Sequence, residues 1–429
     1  MDARRVARGG SPRRWGESVA RWSPLRRLIA GALLIAAVFT VFQAIDYHQN
    51  VPSNDTYQYA RQTLVFLGRS HDQAVHEATQ MFCEDVGSSN ARSASLEQGG
   101  VTGSTSGLAS CMYTYRNGLT PTTPRYLAIF TSRPGYPLLS AAFAGVLGVR
   151  AGLWLAAMLC TLAASLLVIV LLRSTGAGVL TALGGQALFL AAPTGYWGSR
   201  MLTDGPSLAA TMLTLLGAWW LTRGRIGAGS IALVGGLVAG FLVRYSSETM
   251  VAAALAVGAG ICLWLAPLSR TRGTVWLAGL AAGGAVVSQV ATTLLGWPGI
   301  TESMQDTFTH HFIRPDVAHP LSQLLSLNLK YWSYFPVLEP TSLLVALGLV
   351  VVGVALWRRE TVFAALVTVT AATGVGTVIA HPVASQADRL MVAVWLLIVL
   401  GAPLLLADLG RRRPAPEPEA TVLKERQLT

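Results

Sequence analysis

The strongest constraint in this sequence is a series of long apolar stretches that recur along most of its 429 residues. A helix rises ~1.5 Å per residue, so a stretch of roughly 20 residues crosses the ~30 Å hydrocarbon core of a bilayer. Hydrophobic residues make up 52% of the chain and charged residues 12%, which excludes a single water-soluble globule. We therefore predict an all-α polytopic bundle of about ten membrane spans, over residues 28–45, 151–172, 177–196, 207–222, 227–243, 249–266, 274–296, 341–357, 361–380 and 390–408.

One further apolar piece, residues 136–149, is short, and pieces of that length more often lie in the interface than span. If it does not span, every short arginine-bearing break falls on one side, as the positive-inside rule requires. We therefore predict an interfacial helix over 136–149, and both termini on the cytoplasmic side of a plasma membrane. The predicted cytoplasmic segments then carry 20 basic and 7 acidic residues, and the outer segments 12 and 14. The net charge of +11 thus orients the chain and does not indicate nucleic-acid binding.

This topology predicts a basic cytoplasmic tail (1–27), a membrane domain (28–408) and a disordered cytoplasmic tail (409–429). The two long loops, 46–135 and 297–340, are predicted to lie outside, and all seven histidines fall in outer segments. We therefore expect the chemistry on the outer face. In the first loop, Cys83 and Cys111 are predicted to form a disulfide, the alternative being two unpaired thiols. The Ser/Gly-rich stretch 87–107 is predicted to be flexible.

The first outer loop opens with a polar segment, residues 54–64, in which Tyr57, Ala60 and Leu64 follow a helical spacing. We predict a short helix lying along the membrane. Asp55 then has two interpretations: an N-cap of this helix, or a carboxylate that accepts a proton from an incoming hydroxyl or amine.

Two later elements are also polar at the ends of apolar stretches. Arg133 begins the sequence Arg-Pro-Gly-Tyr-Pro-Leu-Leu, whose prolines predict a turn into the interfacial helix. Asp204 precedes Gly-Pro where a span begins, and there too an N-cap is the alternative to a functional carboxylate.

Taken in order, these motifs resemble those of polytopic glycosyltransferases with the GT-C fold. The chain is most similar to the bacterial branch that resembles protein O-mannosyltransferases and aminoarabinose transferases. A fourth match is Asp388-Arg389-Leu390-Met391 at the start of the last predicted span. The resemblance covers the helical core, about residues 28–408, and implies a GT-C-like bundle with interfacial helices in its first outer loop.

The same resemblance implies a hexosyl- or pentosyltransferase. Such an enzyme moves a sugar from a polyprenyl-phosphate donor to a glycan, lipid or protein acceptor on the outer face, with membrane lipids as its surroundings. Asp55 matches the acidic residue of loop one, which acts as general base or orients the acceptor. Asp204 matches the second acidic position at the rim of the cavity, and Arg389 would contact the phosphate of the carrier.

A lipid phosphate near the outer interface needs cationic donors, and arginine supplies a bidentate fork. The further phosphate-binding candidates are Arg244, Arg314 and Lys330. The alternative for Arg244 is an i,i+4 pair with Glu248. The residues expected at the cavity or the acceptor are Tyr57, Tyr59, Arg133, Tyr136, His310, His311 and Glu248.

A divalent metal ion is a possible cofactor at the histidine pair. Adjacent histidines in a helix point ~100° apart, so His310 and His311 would need partners such as Glu84 or His381 to hold one. Two other function classes stay open: a transporter or lipid flippase, and a non-catalytic membrane protein that keeps the GT-C-like fold.

Overall fold

In a computed structural model the protein is described over residues 23–47, 52–97, 106–265, 270–339 and 341–411. Most of these residues are helical and none lies in a β-strand, so the predicted all-α class is confirmed. The predicted cytoplasmic tails fall largely outside the described residues, which omit 1–22 and 412–429. The helices are α1 Pro24–Asp46, α2 Asn54–Phe66, α3 His71–Glu97, α4 Ser106–Thr114, α5 Pro124–Thr131, α6 Gly135–Leu147, α7 Val149–Ser174, α8 Val179–Ala191, α9 Pro193–Gly198, α10 Asp204–Thr222, α11 Ile226–Leu265, α12 Arg272–Leu294, α13 Ile300–Phe308, α14 Pro320–Leu338, α15 Thr341–Arg359, α16 Thr361–Ala380, α17 Ala387–Leu390 and α18 Trp395–Arg411.

Seven segments of the described chain are long and apolar enough to cross a membrane: α1, α7, α11, α12, α15, α16 and the segment Ala384–Arg411 that contains α17 and α18. This is a multi-pass membrane protein by helix length and composition. Three of the predicted spans are not counted separately among the seven. They are α8, which has 13 residues, α10, and the second arm of α11.

Helix α11 is sharply bent. This bend explains one difference between the ten spans predicted from the sequence and the seven candidate spans of the structure. The helix runs for 40 residues, but the backbone of Arg244 is non-helical, with φ −159° and ψ 74°. A Cβ built on Gly284 of α12 would contact both Leu237 and Ala252. These two residues lie on the arms of α11 before and after Arg244, so both arms approach the same glycine of α12. The bend falls between the predicted spans 227–243 and 249–266.

The bundle has two packed cores. The larger one joins α7, α8, α10, α11, α16 and α18 through aliphatic side chains, with Trp219 and Phe363 edge to face at its centre. The second core lies beneath the first loop and is rich in aromatic residues, among them Tyr57, Tyr59 and Tyr136. This second core fixes the end of the bundle where the conspicuous polar residues meet.

The first loop is more ordered than the sequence predicted. The short helix predicted at the start of this loop is present as α2, and it is buried from Thr56 to Leu64. Gly87 to Glu97, predicted to be flexible, continue α3 as regular helix, while residues 98–105 of that stretch lie outside the described residues. Cys83 on α3 and Cys111 on α4 form the predicted disulfide, with Cα atoms 5.7 Å apart.

Candidate functional site

The centre of the site is Arg389, whose guanidinium joins two aspartates from distant parts of the chain. Its Nη1 donates to Asp55 Oδ2 at 2.8 Å, and its Nε donates to Asp204 Oδ2 at 2.9 Å. The Asp204 side chain is 1% exposed, whereas that of Asp55 is 28% exposed. A single arginine therefore bridges one deeply buried carboxylate and one that solvent or a substrate can reach.

The local sequence leaves both aspartates available for this contact. Helix α2 is capped by Ser53, which accepts from the backbone N–H of Thr56 in a capping box. Asp55 lies inside the first turn, so the interpretation of Asp55 as the N-cap was wrong. Asp204 likewise follows the N-cap position, which is Thr203. Both carboxylates lie at the positive ends of helices, where the helix dipole stabilises a negative charge.

Tight backbone packing fixes the start of α10. A Cβ on Gly205 would lie against the carbonyl oxygen of Gly198 and only 2.8 Å from the carbonyl oxygen of Ala157. Real Cβ atoms do not approach that closely, so only glycine allows α10 to begin there. Gly205 thus positions the neighbouring Asp204 beneath Arg389.

Arg389 comes from an irregular part of the chain. It lies on the single turn α17, with the 3₁₀ turns Ala384–Gln386 and Val392–Val394 on either side. The long helix α18 begins only at Trp395, five residues after the predicted start of the last span. Irregular backbone of this kind is tolerated at a membrane when it is buried in protein, and here it turns the Arg389 side chain toward the two aspartates.

Arg244 adds a second guanidinium from the bend in α11. Its Nη1 lies 3.6 Å from Asp204 Oδ1, and the i,i+4 pair with Glu248, the alternative considered for Arg244, does not form. Glu248 is instead buried and accepts from Thr214 Oγ1 at 3.3 Å. The Nε of Arg244 is buried and has no hydrogen-bond partner in the part of the chain that is described.

Arg133 supplies a third guanidinium just before α6. Its Nη1 lies 3.5 Å from the hydroxyl oxygen of Tyr59, and its buried Nε has no hydrogen-bond partner among the described residues. The Tyr59 ring is held edge to face by Phe130 and Tyr136. Three guanidinium groups thus face two aspartates, Asp55 and Asp204, and the cluster has a surplus of positive charge.

This charge balance keeps Asp55 ionised. Burial alone would raise the pKa of Asp55, but the charge of Arg389 and the hydrogen bond from it outweigh that effect, and Arg133 and Arg244 add to it. The net result is a pKa below the ordinary value of the carboxyl group. Asp55 is therefore an anion that accepts hydrogen bonds, and it is only weakly basic.

A second polar group lies beside the first and joins the two long loops. Asn54 Nδ2 donates to the hydroxyl oxygen of Tyr126 at 2.6 Å, and the Tyr126 ring lies 4.8 Å from the ring of His311. His311 Nδ1 is 2.9 Å from Asp306 Oδ1. Nearby, His381 Nδ1 is 2.7 Å from Thr307 Oγ1.

Arg125 clamps the same two loops together at the surface. Its guanidinium binds Glu302 at 2.8 Å and Asp316 at 2.9 Å. It also lies over the ring of Phe312, 4.4 Å from the centroid. The segment that carries His311 is therefore tied to α5 of the first loop.

Several predicted site residues lie elsewhere. Arg314, Lys330 and His310 are exposed, and neither Arg314 nor Lys330 forms an ion pair with another described residue. Tyr57 and Tyr136 are fully buried in the second core, and the Tyr136 hydroxyl donates to the carbonyl oxygen of Leu153. These two tyrosines support the site from behind and do not line an open cavity.

The described donors around the histidine pair do not fit a metal ion. Among the described residues no group of three or more His, Cys, Asp or Glu side chains is placed to hold one. Glu84, a suggested partner of the histidines, is exposed and accepts from Gln80. The place between Asp55 and Asp204, where a bridging cation would lie, is filled by the Arg389 guanidinium.

Sequence reasoning missed Asn54, Tyr126, Asp306 and Arg125. Asn54 and Asp306 carried a usable signal, because Asn54 is adjacent to Asp55 and Asp306 lies five residues before His311. Tyr126 and Arg125 carried none, since their partners are brought to them only by the packing of the two long loops. No protein-family model, curated protein or solved structure matches this chain.

Proposed function

We propose that this protein is a membrane glycosyltransferase that moves a sugar from a polyprenyl-phosphate donor to an acceptor at the extracytoplasmic face. The observation that supports the proposal best is the cluster of Arg389, Asp55 and Asp204 with a surplus of guanidinium charge from Arg133 and Arg244. The order of the sequence motifs resembles that of GT-C enzymes, and the same motifs supply Asp55, Asp204, Arg133 and Arg389.

The donor phosphate is the ligand that this charge distribution favours. Arg133 and Arg244 each have a buried Nε without a hydrogen-bond partner among the described residues, and a phosphate accepts several such bonds at once. A positive site also stabilises the charge that develops on a phosphate leaving group. Arg389 is already engaged by two carboxylates, so its role in the proposal is to hold Asp55 and Asp204 in place.

The orientation of the bundle is part of the proposal. With ten spans, α8, α10 and the second arm of α11 each cross the membrane, and both termini lie in the cytoplasm. The cluster then faces outward, where a lipid-linked donor arrives laterally from the outer leaflet. Asp55, the exposed member of the pair, would face the acceptor and accept a hydrogen bond from it.

The experiment uses purified full-length protein in vesicles with polyprenyl-phosphate mannose and polyprenyl-phosphate arabinose as probes. Donor binding and release of polyprenyl phosphate are measured with simple alcohols and glycosides as acceptors. We expect Asp55→Asn to bind donor but to lose transfer, and Arg244→Gln to lose donor binding. The controls are Asp72→Asn and Arg314→Gln, which change exposed groups of the same types. Full transfer by Asp55→Asn, or no binding of either donor by the wild type, contradicts the proposal.

Glu248 favours a second candidate function, transport or flipping of a lipid. It is a buried carboxyl on a candidate spanning helix, with no cationic partner in the described part of the chain. Ionisable groups inside membrane segments are typical of transport pathways. Movement of a fluorescent lipid across the vesicle without sugar transfer, abolished by Glu248→Gln, would favour this candidate.

A further inference from the structure

Asp55 is a poor proton acceptor in this structure. Its carboxylate accepts a hydrogen bond from Arg389, and its pKa lies below the ordinary value. General bases work best when their pKa lies near the working pH. A transfer that begins with a hydroxyl acceptor therefore needs another group to take the hydroxyl proton.

His311 has the geometry of such a group. An ionised carboxylate only accepts hydrogen bonds, so the 2.9 Å contact with Asp306 Oδ1 places the ring hydrogen on Nδ1. The lone pair is then on Nε2, which has no hydrogen-bond partner among the described residues. The His311 side chain is 48% exposed, so solvent or a substrate can reach the ring.

The backbone that presents His311 is strained. Three consecutive non-glycine residues, His310, His311 and Phe312, have φ of 52°, 63° and 62°. The left-handed conformation costs about 1–2 kcal/mol per residue for L-amino acids, and such strain clusters at functional sites.

Specific contacts hold this turn in place. Thr309 Oγ1 accepts from the backbone N–H of Phe312 at 2.8 Å, and the Arg125 guanidinium covers the Phe312 ring. These contacts fix the chain before His311, at Thr309, and after it, at Phe312.

The turn places the His311 ring next to the Asp55 cluster. The ring lies against Tyr126, which accepts from Asn54, the residue before Asp55. The negative charge of Asp55 acts on His311, so the two groups share one electrostatic environment. The imidazole and the carboxylate thus flank the same end of the bundle.

We propose that His311 is the general base of the transfer reaction, with Asp306 as the residue that positions its ring. This inference rests on the proposed function. In the step, the acceptor hydroxyl gives its proton to Nε2 while its oxygen forms a bond to the anomeric carbon of the sugar. The bond from that carbon to the phosphate oxygen breaks, and the electron pair leaves with the polyprenyl phosphate toward Arg133 and Arg244. Asp55 orients the acceptor and is not protonated.

The charges around the ring predict the pH dependence. The hydrogen bond that His311 donates to Asp306 raises the pKa of His311 above its ordinary value of 6.5, against the opposing effect of burial, and the charges of Asp306 and Asp55 add to the increase. The base must be neutral, so transfer increases as the pH rises through this pKa. The titratable or charged groups that face the ring or its turn are Asp306 on α13, Asp55 on α2, Arg125 and Tyr126 on α5, and His381 after α16.

The test compares His311→Gln with His310→Gln, since both residues are histidines in the same left-handed turn. Donor binding and the pH profile of transfer are measured with the two polyprenyl-phosphate probes. We expect His311→Gln to bind donor normally and to lose transfer by about 10²–10⁴-fold, the usual contribution of a general base. His310→Gln should keep the wild-type profile, and Asp306→Asn should shift the acidic limb to lower pH because His311 loses the partner that raises its pKa.

The outcomes distinguish the role of His311 from the proposed glycosyltransferase function. Wild-type transfer by His311→Gln, or an equal loss in His310→Gln, overturns the role of His311 and leaves the glycosyltransferase proposal standing. An unchanged acidic limb in Asp306→Asn overturns the role of Asp306. Failure of the wild type to bind either donor overturns both proposals. Recovery of transfer in His311→Gly when imidazole is added would support the role of His311 as the general base.

Discussion

Removal of the Arg389 guanidinium gives the sharpest test of how the cluster is built. In Arg389→Gln, Asp204 keeps its buried position with a side chain 1% exposed. Its nearest remaining cation is Arg244, with Nη1 at 3.6 Å. Removal of one partner from a buried ion pair costs about 3–5 kcal/mol, because the other charge stays buried without compensation. We expect a loss of folding stability of that size.

The two aspartates should contribute unequally to this loss. The side chain of Asp55 is 28% exposed, and water can replace part of what Arg389 supplies, so Asp55→Asn should cost only about 1 kcal/mol. The double variant Arg389→Gln/Asp204→Asn removes both buried charges. It should be more stable than Arg389→Gln alone by about 2–3 kcal/mol, since buried pairs couple strongly.

The assay is unfolding of the purified protein in mixed micelles by increasing SDS, followed by tryptophan fluorescence. Arg314→Gln is the matched control, because Arg314 is exposed; it should unfold as the wild type does. Additive effects in the double variant would refute the reasoning, since they would mean that Arg389 and Asp204 do not interact. An Asp55→Asn variant as unstable as Arg389→Gln would refute the assigned difference in burial.

Two further predictions concern the architecture. With both termini in the cytoplasm, a tag on the carboxy terminus should resist protease added to intact cells and be cleaved after permeabilisation; cleavage in intact cells would contradict the ten-span topology. Gly205→Ala should displace the start of α10, because its Cβ would meet the carbonyl oxygens of Gly198 and Ala157, and overpacking of this kind costs about 1–3 kcal/mol. Gly184→Ala is the control, since nothing lies within 4 Å of its Cβ, and equal stability of the two variants would argue against the close contact.

The residues of the central cluster were predictable from the sequence because charged groups are rare in a chain like this one. A polar residue at the end of an apolar stretch has few places to lie other than the polar end of the bundle. Asp55 and Asp204 were identified in that way and Arg389 through the resemblance to GT-C enzymes, and the structure brings the three into contact. The predicted all-α class followed from the same apolar pattern.

The contacts within the cluster could not be predicted in the same way. The i,i+4 rule paired Arg244 with Glu248, but that rule assumes regular helix, and the helix breaks at Arg244. Arg314 and Lys330 had the right charge and the right predicted side of the membrane, yet the fold leaves them exposed. His311 could be identified only as half of a histidine pair, because its left-handed backbone and its contact with Tyr126 depend on the packing of two separate loops.

The long sequence separation of the central ion pairs has a consequence for biosynthesis. Arg389 lies 334 residues after Asp55 and 185 residues after Asp204. A ribosome adds ~5–20 residues per second, so roughly 20–70 s pass between the synthesis of Asp55 and that of its partner. Until the last segment arrives, a nascent chain must hold two carboxylates near the membrane without this guanidinium. Completion of the site therefore coincides with completion of the bundle, and in a chain truncated before Arg389 only Arg133 and Arg244 would remain to offset the charge of the two carboxylates.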